Sequence, residues 1–264
     1  MIFDTHAHYL DHRFDEDREE LIKSLNSVGV TNVTEISADK DDFDNIIEHI
    51  NKYPFFYGSL GVHPSEVAEL TEQDMEKIKE LSKHEKIVAI GEIGLDYHFE
   101  DDPEPEVQKK WFIRQLEIAN ELRLPVIIHS RDAAKDTLDI LKEYHRGLEK
   151  EPKAGFSGGV IHCFSYSVEM AREFIKLGYY IGLDGPVTFK NGKVAKMVAK
   201  DVPSDRLVVE TDCPYMAPEP HRGKRNYSGY LKHIIEEIAE LREISYEEME
   251  EILYNNAKAL YNIR

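Results

Sequence analysis

What the sequence is short of narrows its class first. Only two cysteines, Cys163 and Cys213, occur in 264 residues, too few for a disulfide scaffold and in keeping with a reducing compartment. Glycine (15) and proline (11) are present at ordinary levels, which excludes collagen-like and low-complexity chains. No apolar run approaches the roughly 18 residues that a membrane-spanning helix needs. The amino terminus, MIFDTHAHYLDHRFDED, lacks the basic, apolar and small-residue succession of a secretory signal. Positive charge is scarce as well: 33 Lys and Arg stand against 51 Asp and Glu, a formal net charge of -18. A surface that coats nucleic acid through its phosphates is therefore excluded, although local cations or bound divalent metals can reverse the field inside one cleft. The expectation is a cytoplasmic protein with no membrane contact and no obligate protein partner.

Short β-rich runs alternate with longer helical ones along the chain. The candidate strands are Ile2 to Asp4, Val33 to Ile36, Phe55 to Leu60, Ile87 to Ile90, Val126 to Ile128, Gly159 to Ile161, Tyr180 to Gly182 and Leu207 to Val209. Amphipathic segments separate them, and two more, Gly229 to Leu241 and Tyr246 to Tyr261, follow the eighth strand. The strand runs lack strict alternation, as parallel strands buried on both faces do, and eight strand-helix units close naturally into a (β/α)8 TIM barrel. No glycine-rich phosphate loop follows an early strand, which disfavours a doubly wound sheet. One domain spanning 1–264 is expected, with Arg146 to Gly159 as a surface loop.

In such a barrel the active site forms at the carboxyl ends of the strands, so the polar residues there are the informative ones. They are His6 and His8 after strand one, His63 after strand three, Glu92 and Asp96 after strand four, His129 and Arg131 after strand five, His162 after strand six, and Glu210 and Asp212 after strand eight. Any one of these alone reads as an ordinary loop residue. Jointly they place four histidines and two carboxylates, Glu92 and Asp212, in one cleft. Residues two apart on a strand face the same side, so His6 and His8 can share one metal. His129 and His162 supply a second nitrogen pair, and Glu92 can bridge. Imidazole and carboxylate without thiolate suit Zn, Mn, Co or Mg. Cys163 and Cys213, each one position past a proposed ligand, should point away from the cleft. His49, His84, His145 and His233 fall on helical segments and are expected on solvated faces, while Asp132 and Ser167 are expected to cap the helices that follow them.

The motifs DTHAH, GVHP, GEIGLDY, HSRDA, HCFS, ETDCPYMAP and RGKRN, in that order, make the sequence resemble the TatD family of metal-dependent deoxyribonucleases, within the amidohydrolase-like superfamily. DTHAH is shared by many metal hydrolases, whereas GEIGLDY followed by HSRDA and ETDCPYMAP is specific. The resemblance implies a TIM barrel holding two divalent metal ions, with His6, His8 and Asp212 at one, His129 and His162 at the other, and Glu92 between them. It also implies hydrolysis of DNA phosphodiester bonds, from a 3′ end and on single-stranded substrate. Three positions depart from the family pattern: Tyr166 stands where Gly is usual, and Tyr227 and Ser228 where Glu-Pro is usual.

On this reading water activated by the cations attacks phosphorus, Asp212 takes its proton with Glu92 as the alternative base, and His63 contacts the scissile phosphate. Arg131 orients a phosphate or a neighbouring side chain. Arg222, Lys224 and Arg225, with His221, Lys190 and Lys193 nearby, form a candidate patch for the DNA backbone. The rival reading is a metal-dependent hydrolase of amide or C-N bonds on the same barrel. Many enzymes of that kind carry a carboxylated lysine on strand four, where this chain has Glu92. A non-catalytic scaffold is disfavoured because all six ligand positions are filled.

Overall fold

The computed structural model describes residues 1–150 and 158–263, with the backbone alone for 148–150. Eight strands run parallel in the order β1 to β8: β1 (Ile2–Ala7), β2 (Val30–Ile36), β3 (Phe56–Leu60), β4 (Ile87–Asp96), β5 (Val126–Arg131), β6 (Gly159–Ile161), β7 (Tyr180–Leu183) and β8 (Leu207–Val209). Helices α1 (Arg18–Ser24), α2 (Phe43–Lys52), α3 (Glu72–Leu81), α4 (Pro105–Leu122), α5 (Ala134–Lys150), α6 (Val168–Lys176) and α7 (Lys193–Asp201) connect them. After β8 come α8 (Leu231–Arg242) and α9 (Tyr246–Leu260). This is the TIM barrel expected from the alternation of strand and helix patterns.

Local chemistry sets the helix starts. Thr71 and Asp74 form a reciprocal capping box at α3, Pro105 occupies the first turn of α4 where its missing N–H costs nothing, and Ser167 and Ser245 cap α6 and α9. Asp132 is not used in that way; its carboxylate lies 2.8 Å from His98 Nδ1. The expected loop from Arg146 is helical as far as Lys150, the end of α5, and 151–157 lie outside the described residues. His49, expected on a solvated face of α2, is buried with Nδ1 3.2 Å from the buried carboxylate of Glu35. The helix turns that side chain onto β2, a partner that periodicity alone does not reveal.

Strands β1 and β4 run further than their apolar cores, because the functional motifs continue the extended backbone. All ten residues of β4 are buried, Glu92 and Asp96 included. Gly94 makes the close pairing with β5 possible: its φ is 147°, and a Cβ there would lie 1.9 Å from His129 O. Phe3, Val88, Ile127 and Val208 form an apolar cluster that Ala257 and Leu260 of α9, with Tyr261 just after it, cover. Tyr261 also donates its hydroxyl to Thr5 O at 2.7 Å.

The seam between β8 and β1 has few ladder bonds. Ala7 bridges to Cys213, His8 N donates to Cys213 O at 2.9 Å, and Asp212 N donates to His6 O at 3.0 Å. Much of the rest of the closure comes from one buried side chain. Asp4 accepts from Thr211 N (2.9 Å), Thr211 Oγ1 (2.5 Å), Ser228 Oγ (2.6 Å) and His6 N (3.3 Å). Burial pushes the Asp4 carboxyl up, to about 7, against the pull of those donors. Ser228 Oγ in turn accepts from Tyr9 Oη at 2.8 Å. One of the three departures from the family pattern is thus a strut of the seam.

Replacing Asp4 with Ala strands four buried donors, and each unmet one costs about 1–3 kcal/mol, so a loss of about 3 kcal/mol or more is expected in urea denaturation. Ser228→Ala should cost less, about 1–2 kcal/mol, because Asp4 keeps its other donors. A Ser228→Ala protein as stable as the parent would remove this side chain from the seam.

Candidate metal centre and substrate cavity

At the carboxyl end of the barrel a cavity of about 720 Å³ opens, lined by His8, His63, Glu92, Asp96, His129, Arg131, His162 and Asp212 among others. It sits where the strand-end rule placed it. Glu92 lies at its centre: Oε1 is 2.7 Å from His162 Nε2 and 2.9 Å from His129 Nδ1, and Oε2 is 3.4 Å from His6 Nε2. On the other side His6 Nε2 and His8 Nε2 are 3.0 Å apart, and Asp212 Oδ1 lies 3.6 and 3.4 Å from them. All six ligands expected from the sequence are therefore together.

The outer partners of the imidazoles fix which nitrogen faces inward. His8 Nδ1 donates to Ile36 O (3.2 Å), His129 Nε2 to Asp96 Oδ2 (2.9 Å), and His162 Nδ1 faces Glu210 Oε1 (3.5 Å). Each of those three rings then turns its other nitrogen toward Glu92 or Asp212, a nitrogen that offers a lone pair once its proton has left. This carboxylate- or carbonyl-backed arrangement is the usual support of a metal-ligating histidine. Glu210 also accepts from Cys163 N and so ties the end of β6 to β8.

Burial pushes both Glu92 and Asp212 up, yet the surrounding imidazoles outweigh it and hold both carboxylates below their ordinary range. Burial and the neighbouring His162 push His6 down. Burial also pushes His8, His129 and His162 down, but the facing carboxylates overcome it and raise all three, His8 to about 9. The protons held there are what an incoming cation displaces.

The donor set fits divalent cations. Ligand atoms about 2.0–2.1 Å from a tetrahedral ion stand about 3.3 Å apart, and the observed separations of 2.7–3.6 Å bracket that edge. His6, His8 and Asp212 form one compact group, and His6, Glu92 and His162 a second that shares His6. A third group, His63, Asp96 and His129, is equally compact. Its nitrogens point the wrong way: His129 Nε2 donates to Asp96, and His63 Nδ1 accepts from Ser65 N at 3.2 Å, which leaves the proton on Nε2. His63 thus presents a neutral N–H donor to the cavity, and burial followed by the nearby His129 pushes its pKa down to about 3.

The cavity wall carries six carboxylates, Asp11, Asp42, Glu66, Glu92, Asp96 and Asp212, with Arg131 beside them. An anionic substrate needs bound cations to enter such a field. Arg131 is exposed, its guanidinium 4.9 Å from the ring centroid of Phe99. The basic cluster does not join the cavity lining. Arg225 is clamped to Asp17 and donates to Arg13 O, Arg222 lies over Phe189, and Lys224 is exposed. Asn226 of the same motif donates to Thr211 O at 2.8 Å. In this structure RGKRN fastens the segment after β8 to the segment after β1.

Cys213 is buried as expected, but Cys163 lines the cavity with Sγ 3.2 Å from Asp184 Oδ2. Strand alternation ends at Ile161, and Cys163 adopts φ 44°, so the period-two argument does not reach it. Tyr166 fills the place of the family glycine with a hydroxyl that pairs with Ser130 Oγ and accepts from Ala133 N. Tyr227 packs edge-on against Tyr230. Asp96 and Glu210 received no role from the sequence. Asp96 could have been found, since it lies four residues after Glu92 on one strand and therefore on the same face.

Compared with known proteins, the chain matches the family model described as TatD related DNase over residues 3–262. It is 46% identical over 263 residues to the uncharacterized metal-dependent hydrolase YabD of Bacillus subtilis, a match covering 100% of both chains. The 3'-5' ssDNA/RNA exonuclease TatD of Cronobacter sakazakii is 32% identical over 247 residues, 91% of this chain and 90% of that one. Among solved structures, the TatD homolog YjjV of Escherichia coli superposes with a TM-score of 0.89 at 30% identity, covering 100% of this chain and 98% of that one.

Asp96→Asn keeps shape and volume but weakens the hydrogen bond that aims His129. Metal affinity measured by calorimetric titration should fall about 10–100-fold with the fold intact. Unchanged affinity would show that Asp96 does not position His129.

Proposed function

The chain belongs to the TatD family of metal-dependent hydrolases, and on that basis we propose that its cavity hydrolyses phosphodiester bonds of DNA, from the 3′ end of single strands. The observation that carries this reading is the cluster of inward-facing imidazole nitrogens and ionised carboxylates at the end of an acidic cavity, with the neutral donor His63 and the cation Arg131 beside it. Two divalent cations, Mg, Mn, Zn or Co, would polarise a phosphoryl oxygen and lower the pKa of water toward neutrality when bound. His6, His8 and Asp212 would hold one, His129 and His162 the other, and Glu92 would serve both.

The protein's own groups do the rest. Asp212 Oδ1 faces His6 and His8, so its second oxygen is the one to take the proton of the attacking water. The surrounding imidazoles keep that carboxylate ionised. His63 Nε2–H, 3.9 Å from Glu92 Oε1, is aimed where a phosphoryl oxygen would gather charge. Arg131 stands at the rim to meet the next phosphate, a charge-assisted contact. A nuclease reading also accords with the name of the Cronobacter relative, an exonuclease on single-stranded DNA and RNA.

The experiment is degradation of end-labelled single-stranded and duplex DNA with Mg, Mn or Zn, beside amide and acylated substrates. Progressive shortening from the 3′ end, faster on single strands and abolished by chelator, is expected. Asp212→Asn should remain folded by circular dichroism and lose about a thousandfold in turnover. Near-parental turnover in that variant would overturn the role of Asp212, and preferential turnover of amides would overturn the nuclease reading.

A further inference from the structure

Two large aromatic side chains stand exposed at the mouth of the cavity: Phe99, in the segment after β4, is 56% exposed, and Tyr215, in the segment after β8, is 47% exposed. Both belong to the cavity lining. In an eight-strand ring the β4–β5 edge lies opposite the β8–β1 edge, so the rings flank the mouth on opposite sides with the metal-ligating cluster between them.

Each ring is held from one side by a guanidinium. Arg131 covers Phe99 at 4.9 Å, and His98 packs edge-on against the same ring with centroids 4.8 Å apart. Arg13 covers Tyr215 at 4.0 Å, and Asp11 grips Arg13 through Nε (2.9 Å) and Nη2 (2.8 Å). A ring stacked on one face, with about half of its residue still exposed, is a preorganised surface for a second flat group. The charge around it selects that group. The cavity wall is acidic and the chain carries a net charge of -18, so a polyanionic backbone gains little beyond the cation site and Arg131. Affinity along the rest of a strand must come from its uncharged part, the bases, and stacking on aromatic rings supplies it without regard to sequence.

We infer that Phe99 and Tyr215 are base-stacking platforms for the nucleotides on either side of the scissile phosphate of a single-stranded nucleic acid. This assignment rests on the nuclease reading above and gives that reading a cause for its strand preference. Paired bases in a duplex already spend their faces on one another, so only an unpaired strand can offer a base to each ring.

The test separates stacking from both metal and hydrolysis. A single-stranded oligonucleotide with uncharged methylphosphonate linkages and 2-aminopurine near its 3′ end is titrated in chelator-treated buffer, where it is not cleaved and is not repelled. The parent protein should quench the fluorophore. Phe99→Ala and Tyr215→Ala should each weaken binding about tenfold, with quenching reduced at the position that each ring serves, and Phe99→Trp should restore both. An oligonucleotide lacking the base at that position should bind the parent as weakly as it binds the alanine variant. Parental binding and quenching in both alanine variants would overturn the platforms. If the platforms hold while metal-loaded protein leaves DNA uncut, the nuclease reading fails alone; if DNA is cut and both variants bind normally, the stacking assignment fails alone.

Discussion

A buried carboxylate cannot stay ionised in a protein interior without partners, and Glu92 is buried at the centre of this molecule's chemistry. Its partners are imidazoles supplied by β1, β5 and the end of β6, which arrive 2.7 to 3.4 Å from its two oxygens. The outer contacts follow from that demand. Asp96, Glu210 and Ile36 O face the far nitrogens so that the near ones turn to the centre, and β4 extends to Asp96 so that one strand supplies both the central carboxylate and one of the supports. The raised imidazoles share protons with the ionised carboxylates that they face, and bound cations would take the place of those protons.

The barrel seam serves the same centre. His6, His8 and Asp212 lie on the two sides of the junction between β8 and β1, so any slip there separates the ligands from each other. The few ladder bonds at this junction are supplemented by the buried Asp4 network, which engages Thr211 on one side and Ser228 beyond it. The basic RGKRN segment adds a further clasp through Arg225 and Asn226. Its sequence suggests a phosphate-binding patch because positive charge usually faces anions. Here the anion beside Arg225 is Asp17 of the same chain, and in an acidic protein such internal partners are plentiful.

Much of the site was legible in the sequence because the ligand candidates fall within the short polar stretches that follow apolar runs, and a barrel sends all such positions to one end. The pairing of His6 with His8 needed only strand periodicity. Other expectations fail where that periodicity stops: Cys163 follows the end of β6 with a left-handed backbone and stands in the cavity lining, and His49 lies on a helix face that meets Glu35 of β2. Asp96 is within reach of the same period-two reasoning, but the apolar run before it ends six residues earlier, at Ile90. Burial extends to the motif itself, so polar residues there were strand and not loop.

The sequence by itself determined the barrel and the identity of the six metal-ligating candidates, because both depend on patterns repeated locally along the chain. Tertiary structure decided which nitrogen of each imidazole faces the centre, which carboxylates back an imidazole from outside, and that Arg225 of RGKRN pairs with Asp17 across the protein's own seam. It also placed Phe99 and Tyr215 on opposite sides of one mouth. Those outcomes rest on contacts and positions set by residues far apart in the chain, whose partners are chosen only when β8 returns to β1.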